Sequence, residues 1–188
     1  QQTKSVINTD EAAAHITKFQ KRAKPFAWDL ETDRLKPDHN DSQILTCAIS
    51  NGNETYSFPW DGKVVPAMKE LLLSDVPKIG YNCKFESRWI RKHFKADVNN
   101  WIWDGMLAAH VLDNRRGICS LKFQSFVKLG MDAYEEKTKP YMKMKGANDR
   151  NRLKEVPLKT LLDYGALDGL LTYKLAEIQM RELGYKHG

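Results

Sequence analysis

The sequence has no apolar run long enough to cross a lipid bilayer. Since a spanning helix needs about 20 consecutive apolar residues, a membrane-spanning protein is excluded. The N-terminal stretch QQTKSVINTD also lacks the apolar core of a signal peptide. No initiator methionine is present, which favours an excised fragment or a processed chain. We therefore expect a cytoplasmic protein with no membrane partner.

Cysteine is scarce, and its spacing argues against both a disulfide framework and a zinc site. Cys47, Cys83 and Cys119 are odd in number and form no CxxC pair. A structural zinc site needs more ligands at tighter spacing, and the five histidines are scattered along the chain. We therefore expect reduced thiols, as in intracellular proteins.

The net charge of +6 is concentrated in one segment of the chain. Between Lys137 and Lys154 there are seven basic residues and one acidic residue, Asp149, while acids and bases balance elsewhere. A basic loop on a neutral body favours a polyanionic ligand such as a nucleic acid. A solvated, mobile charged loop is the alternative, because charge alone does not distinguish the two.

Hydrophobic periodicity predicts one mixed α/β domain that spans residues 1–188. After a first helix, three β-rich segments form an antiparallel meander: FAWDLET, QILTCAIS and ETYSFPW. From Val64 onwards, helices and short strands alternate, which indicates a mixed sheet flanked by helices. No repeat, low-complexity tract or linker interrupts the chain, and its length suits a single core.

The first strand of the meander carries two acidic residues at alternate positions. In the stretch FAWDLETD, Asp29 and Glu31 lie two residues apart. A strand directs residues i and i+2 to the same face, so the two carboxylates emerge side by side. Like charges in a half-buried place are unfavourable unless a cation lies between them.

Further acidic residues lie on elements that could approach this strand. Asp168 follows Tyr164 by four residues in the long C-terminal helix, so both side chains share one face. Glu86 lies in the first turns of the helix that follows VPKIGYN. If these two acids converge with Asp29 and Glu31, they form a hard-oxygen site for Mg²⁺ or Mn²⁺. Two such ions, about 3.5–4 Å apart, suit in-line attack on a phosphodiester.

Each of these features alone also has a simpler structural interpretation. An acidic pair on a strand is commonly solvated, and Tyr164 and Asp168 fit a packed aromatic beside a surface acid. Glu86 could pair with Arg88 or Lys84 on an exposed helix face, a contact of little energetic weight. Asp104, which closes the strand NWIWD, is a further acidic residue that could approach the first strand.

Three motifs, in this order, resemble the 3′–5′ proofreading exonuclease domain of family A (polymerase I-like) DNA polymerases. This domain belongs to the tyrosine subclass (DEDDy) of the DEDD nuclease superfamily, and the resemblance covers nearly the whole chain. The motifs are WDLETDRL with Asp29 and Glu31, GYNCKFESRW with Asn82, Phe85 and Glu86, and YGALDG with Tyr164 and Asp168. The family usually has aspartate at the fourth acidic position, where this chain has Glu86. Asp104 is a conceivable substitute, but it matches an intervening segment of the family, in which the resemblance implies a structural role.

The resemblance implies a ribonuclease H-like fold and a two-metal exonuclease that uses Mg²⁺ or Mn²⁺. Asp29 would bridge both ions, Glu31 and Asp168 would hold the ion of the nucleophile, and Glu86 would support the second ion. Tyr164 would orient the attacking water. The expected reaction removes 3′-terminal nucleotides of single-stranded or frayed DNA as 5′-monophosphates.

The next candidates are residues that would hold the substrate, most of them suggested by the resemblance. Leu35 falls where the family places an apolar wedge against the terminal base, although a core position is an open alternative. Asn82 and Phe85 belong to the strand-binding motif, and Lys143 and Lys145 are our candidates for phosphate contacts.

The expected setting is a monomeric proofreading domain beside a polymerase domain of the same bacterial or bacteriophage chain. The alternatives are a free-standing ribonuclease D-like or Werner-type exonuclease, and a degenerate domain that only binds nucleic acid.

Overall fold

The computed structural model describes residues 2–146 and 148–185, and its centre is a six-stranded mixed β-sheet. In spatial order the strands run β1-β4-β3-β2-β5-β6. Their bounds are β1 (Gln2–Ser5), β2 (Phe26–Thr32), β3 (Ile44–Ser50), β4 (Glu54–Pro59), β5 (Lys78–Gly80) and β6 (Trp101–Asp104). The predicted mixed α/β class is confirmed. The prediction of one domain over residues 1–188 includes Gln1, Ala147 and residues 186–188, which lie outside the described residues.

Seven helices and one 3₁₀ turn of the described residues surround this sheet. They are α1 (Thr9–Arg22), α2 (Val64–Leu73), α3 (Cys83–Phe94), α4 (Gly105–Leu112), α5 (Leu121–Leu129), α6 (Lys139–Met142), the turn Leu153–Glu155 and α7 (Leu158–Glu182). In the part of the chain that the structure describes, none of them has the length and apolar character required to span a membrane.

The predicted antiparallel meander is present as β2, β3 and β4. The turn between β3 and β4 is closed by Asn51, whose side-chain oxygen accepts hydrogen bonds from the backbone N–H groups of Asn53 and Glu54. Gly52 has φ +84°, a conformation that suits glycine in a tight hairpin turn. On its other side, β2 pairs in parallel with β5, so this strand lies where the sheet changes from antiparallel to parallel.

One edge strand was not predicted from the sequence. Residues Gln2–Ser5 form β1, which pairs in parallel with β4. Its sequence, QTKS, is polar throughout and has no apolar alternation, which is the signal that identifies a half-buried strand. Pairing with an existing strand, rather than its own pattern, therefore determines its conformation.

Large and small side chains lie on opposite faces of β2. On one face, Phe26, Trp28 and Leu30 belong to the main hydrophobic core, and Trp28 stacks on Trp101 at a centroid distance of 5.3 Å. The other face begins with Ala27, which packs with Ala176 of α7. The alternation of the strand thus places Asp29 and Glu31 on the face that α7 covers.

Two glycines allow α7 to lie close to the sheet. A Cβ added at Gly169 would lie 3.3 Å from the Cβ of Ala48 in β3, and one at Gly165 would lie 3.7 Å from the Cγ of Glu31. Interiors are closely packed, so a larger side chain at Gly169 would move the helix away from the sheet. The short distance between helix and sheet brings Asp168, the neighbour of Gly169, to the acidic residues of β2.

Candidate active site

Three of the predicted site residues meet beneath α7. Asp29 and Glu31 of β2 and Asp168 of α7 each offer a carboxylate oxygen, and these oxygens all lie within 4.8 Å of one another. Glu31 and Asp168 are buried, with 8% and 5% of their surface exposed, and Asp29 is half-buried. The predicted convergence of these three residues is therefore present in the structure.

Two carboxylates of this cluster, those of Asp29 and Glu31, have raised pKa values. The pKa of Asp29 is raised to about 8, chiefly by burial and also by the charge of Asp168, while the ammonium of Lys122 partly offsets both effects. Burial also raises the pKa of Glu31 well above its usual value, and Asp29 and Asp168 add to this shift. Carboxylates that resist ionisation in this way gain stability from a bound cation.

Glu86 of α3 lies beside this cluster rather than within it. It is not one of the three residues whose oxygens lie within 4.8 Å, but its carboxylate is buried, with 2% exposed. Burial and the charge of Asp29 raise its pKa well above the usual value. The proposed alternative of a pair with Arg88 is not found in the described residues, where Arg88 binds Asp38 at 3.0 Å.

One carboxylate oxygen of Glu86, Oε2, is buried and has no hydrogen-bond partner among the described residues. A buried polar atom without a partner is unfavourable, and few such atoms occur in folded proteins. A divalent cation bound by Asp29, Glu31 and Asp168, or a water on that cation, would satisfy it. The donor set consists entirely of carboxylate oxygen, so it fits a hard divalent ion.

The start of α3, and hence the position of Glu86, is held by Asp104. Its carboxylate accepts hydrogen bonds from the backbone N–H groups of Asn82 (3.0 Å) and Cys83 (2.8 Å). The same side chain caps α4 through the N–H of Met106. The expected structural role of Asp104 is therefore correct.

Tyr164 lies one helical turn before Asp168 and is also buried, with 8% exposed. Burial raises the pKa of its hydroxyl far above the usual value, and the charges of Asp168 and Glu31 raise it further. The hydroxyl therefore keeps its proton throughout the neutral range. It is a neutral hydrogen-bonding group close to the carboxylates.

Sequence reasoning missed two residues of this site, Lys122 and Tyr134. Lys122 of α5 forms an ion pair with Asp168, and Tyr134 donates its hydroxyl hydrogen to the same carboxylate oxygen, Oδ1. The ammonium also donates to the hydroxyl of Tyr134 at 2.8 Å. The available signal was a lysine on a helix that also carries an apolar face, which is too common to indicate a site.

A model of the family described as 3′–5′ exonuclease matches residues 5–183 of the chain. The chain belongs to the 3′–5′ exonuclease family. Its mixed sheet flanked by helices is the ribonuclease H-like fold of the DEDD exonucleases.

Among characterised proteins, DNA polymerase I of Chloroflexus aurantiacus is 26% identical over 188 residues. That match covers 95% of this chain and 19% of the polymerase, so the chain spans about a fifth of the length of this relative.

Two solved structures with low sequence identity have the same fold. The catalytic core of RRP6 from Trypanosoma brucei matches with a TM-score of 0.72 and 14% identity, over 97% of this chain and 47% of that one. Escherichia coli RNase D, an exoribonuclease involved in structured RNA processing, matches with a TM-score of 0.71 and 13% identity. The latter match covers 98% of this chain and 46% of that one.

The predicted substrate-binding residues occupy different environments. Leu35 is 52% exposed, so its interpretation as a core residue is wrong. Asn82 is half-buried in a left-handed conformation (φ 68°) just before α3, and Phe85 packs against the main core. Lys143 and Lys145 are exposed; Ala147, also in the basic loop, lies outside the described residues.

The basic loop is anchored next to β2, the strand that carries Asp29 and Glu31. Asp33, which follows β2, is fully buried, and its Oδ2 lies 3.4 Å from Nε of Arg150. The N–H of Asn151 donates to the backbone oxygen of Asp33 (2.9 Å), and its side-chain amide donates to that of Thr32 (2.8 Å). The positive charge of this segment therefore lies beside the end of the strand that carries Asp29.

For the metal-free protein we predict that the free energy of unfolding decreases as the pH rises from about 4 to about 8. In this interval the unfolded Asp29, with a pKa of 3.8, has lost its proton while the folded protein retains it. The folded state then binds more protons than the unfolded state, so raising the pH favours unfolding, by at most about 1.4 kcal/mol per pH unit for each retained proton.

Asparagine at position 29 has no carboxyl group to protonate, so the free energy of unfolding of Asp29→Asn should decrease less steeply with pH. Part of the decrease should remain, because the pKa values of Glu31 and Glu86 are also raised. Denaturant unfolding of chelator-treated protein at a series of pH values measures the slope. Asp163→Asn, an exposed position of α7, is the control and should follow the wild type in this interval. Identical slopes for Asp29→Asn and the wild type would contradict the assignment.

Proposed function

We propose that this domain removes nucleotides one at a time from the 3′ end of single-stranded or frayed DNA, releasing 5′-monophosphates. The proposal rests on one observation above all: three carboxylates from β2 and α7, two buried and one half-buried, meet within 4.8 Å beside Glu86, whose Oε2 has no hydrogen-bond partner among the described residues. Such a constellation in a 3′–5′ exonuclease fold suits two-metal hydrolysis of a phosphodiester.

The carboxylates would hold two divalent ions, for which Mg²⁺ and Mn²⁺ are our candidates. Asp29 would contribute to both ions, Glu31 and Asp168 to one, and Glu86 to the other, in keeping with its place beside the cluster. When bound, the ions supply an acidic water and neutralise charge on the phosphate. Side chains of this chain would orient the attacking water and hold the DNA strand.

Tyr164 is proposed to orient the attacking water. Its hydroxyl is buried one turn from Asp168 and keeps its proton at neutral pH, because burial and the nearby carboxylates raise its pKa far above the usual value. A hydroxyl that always carries its proton holds a water by hydrogen bonding and does not compete as a base. We therefore assign Tyr164 to the tyrosine position of the DEDDy subclass.

The substitution of glutamate for the usual aspartate is compatible with this arrangement. Glu86 reaches one methylene further than aspartate, and it starts from a helix whose first turn is held by Asp104. Its Oε2 has no other partner among the described residues, so no competing bond has to break before it supports an ion.

On the substrate side, exposed groups surround the end of β2. Leu35 presents an apolar side chain two residues beyond the buried Asp33, which suits contact with the terminal base. Asn82 would hold the strand near the start of α3, with Phe85 packed behind it. Lys143 and Lys145 would contact phosphates from the basic loop, which is anchored beside β2 through Arg150.

We further propose that the domain proofreads for a polymerase domain of the same chain, in a bacterial or bacteriophage DNA polymerase. The supporting observation is its similarity to DNA polymerase I of Chloroflexus aurantiacus, of which it spans 19%. A free-standing ribonuclease D-like enzyme is the second candidate, favoured by the structural similarity to RNase D. Retention of every carboxylate and of Tyr164 argues against a degenerate domain that only binds nucleic acid.

The activity is tested with a 5′-labelled DNA strand, the same strand as a 3′-mismatched primer on a template, and an RNA of equal sequence. We expect stepwise shortening from the 3′ end in Mg²⁺ or Mn²⁺, none in EDTA, and faster degradation of DNA than of RNA. Asp29→Ala should lower the rate by about 10³-fold or more, because it removes a ligand of both ions.

Asp163→Ala, an exposed acid on α7, should retain the wild-type rate. Faster degradation of RNA would replace the DNA assignment by the ribonuclease D-like one. Bound DNA that is never shortened with either metal would rule out an exonuclease.

The role of the basic loop is tested by the double variant Lys143→Gln/Lys145→Gln. Each lysine–phosphate contact with single-stranded DNA contributes about −0.7 to the slope of log K against log salt concentration. The double variant should therefore bind the strand more weakly, with a slope that is shallower by about 1.4. Fluorescence anisotropy at several salt concentrations measures both quantities.

Lys21→Gln/Lys24→Gln removes two exposed lysines near the opposite end of β2 and serves as the matched control. If both double variants give the wild-type slope, the lysines of the loop do not contact phosphate.

A further inference from the structure

Among the described residues, the ammonium of Lys122 forms an ion pair with the acidic cluster. Lys122 forms an ion pair with Asp168, whose side chain is 8% exposed, while the lysine side chain itself is 28% exposed. The ammonium also donates to the hydroxyl of Tyr134 at 2.8 Å. It lies 4.4 Å from the ring centroid of Tyr134 and 4.5 Å from that of Tyr164. The lysine is thus held by one carboxylate, one hydroxyl and two ring faces.

The ammonium uses the same oxygen that makes Asp168 a member of the cluster. Asp168 Oδ1 accepts hydrogen bonds from both Lys122 and Tyr134. A metal ion bound between Asp29, Glu31 and Asp168 would need a carboxylate oxygen of Asp168 and would lie close to the ammonium. Two cations at such a distance in a partly buried site repel each other strongly. A divalent ion and the Lys122–Asp168 pair therefore compete.

We propose that Lys122 is a built-in counter-ion of the metal centre, which leaves Asp168 when a divalent ion binds and thereby sets the affinity of the centre for metal. This inference rests on the proposed function, because it assumes that the three carboxylates bind a divalent ion. Lys122 is a positioning residue in this account. It acts through Asp168 and balances the charge of the buried cluster when no ion is bound.

The surroundings of the ammonium allow this exchange without unfolding of α5. When the bond to Asp168 is given up, the hydroxyl of Tyr134 and the faces of two aromatic rings remain as partners. Cation–π contacts hold an ammonium at distances of this order without a carboxylate. The lysine side chain is also partly exposed, so it has room to move towards solvent.

The test is the affinity for Mn²⁺, measured by calorimetry without nucleic acid at one near-neutral pH for all variants. Lys122→Met removes the competing charge, so its Kd for Mn²⁺ should be at least about tenfold lower than that of the wild type. Lys122→Arg keeps the charge and should stay close to the wild type. Lys128→Met, also on α5 but paired with Glu182 at 2.7 Å, is the matched control and should leave the Kd unchanged.

Thermal unfolding provides a second readout on the same proteins. Without metal, Lys122→Met should have a lower Tm than the wild type, because the cluster has lost its cation, and Mn²⁺ should raise the Tm of this variant by the larger amount. If Lys122→Met does not fold, Lys122→Gln carries the same expectation, with an amide donor left for Tyr134.

A Kd of Lys122→Met for Mn²⁺ that equals or exceeds that of the wild type would overturn the inference and leave the proposed function intact. Failure of the wild type itself to bind Mn²⁺ would instead refute the metal centre, and with it both proposals.

Discussion

The structure depends on three carboxylates that lie within 4.8 Å of one another, two of them buried and one half-buried. Such a cluster is unstable by itself, because each ionised group repels the others and has lost its solvent. Burial and mutual repulsion raise the pKa of Asp29 to about 8 and that of Glu31 well above its usual value. The packing of the strands and helices holds the carboxylates this close together, and their need for a cation follows from that closeness.

The carboxylates are brought together because the side chains on the two faces of β2 differ in size. Phe26 and Trp28 fill the core on one face of β2, while the opposite face carries Ala27 and the acidic pair. On that face, Gly169 lets α7 approach β3 to within van der Waals distance, which places Asp168 opposite the pair. Small residues at the helix–sheet contact therefore position the site as directly as the carboxylates do.

A buried anionic cluster requires positive charge, and in the part of the chain that the structure describes Lys122 is a source of it. The ammonium of Lys122 pairs with Asp168, and divalent ions are the proposed second source. On this account the centre alternates between an internal cation, which stabilises the protein without metal, and external cations, which make it reactive. Oε2 of Glu86 is buried and has no hydrogen-bond partner among the described residues, so an external cation would satisfy an oxygen that Lys122 does not reach.

Much of the fold could be predicted from the sequence because its signals are local. The meander follows from apolar segments separated by turn residues, and the pair Asp29 and Glu31 follows from the alternation of a strand. The spacing of Tyr164 and Asp168 follows from the helical period. These inferences need only the geometry of one element, which the sequence encodes directly.

The features that could not be predicted depend on contacts between distant segments. Strand β1 is polar and is defined only by its pairing with β4. The role of Lys122 requires knowledge of how α5 packs against α7, which no local pattern reports. Glu86 was expected within the cluster, but the position of α3 places it beside the three other carboxylates.

The most direct test of the central claim is a crystal structure with Mn²⁺, in which anomalous scattering locates the ion. We predict a peak about 2.0–2.3 Å from carboxylate oxygens of Asp29, Glu31 and Asp168, with the ammonium of Lys122 no longer bound to Asp168. A cluster without a peak at saturating Mn²⁺, with the Lys122–Asp168 pair intact, would contradict the account.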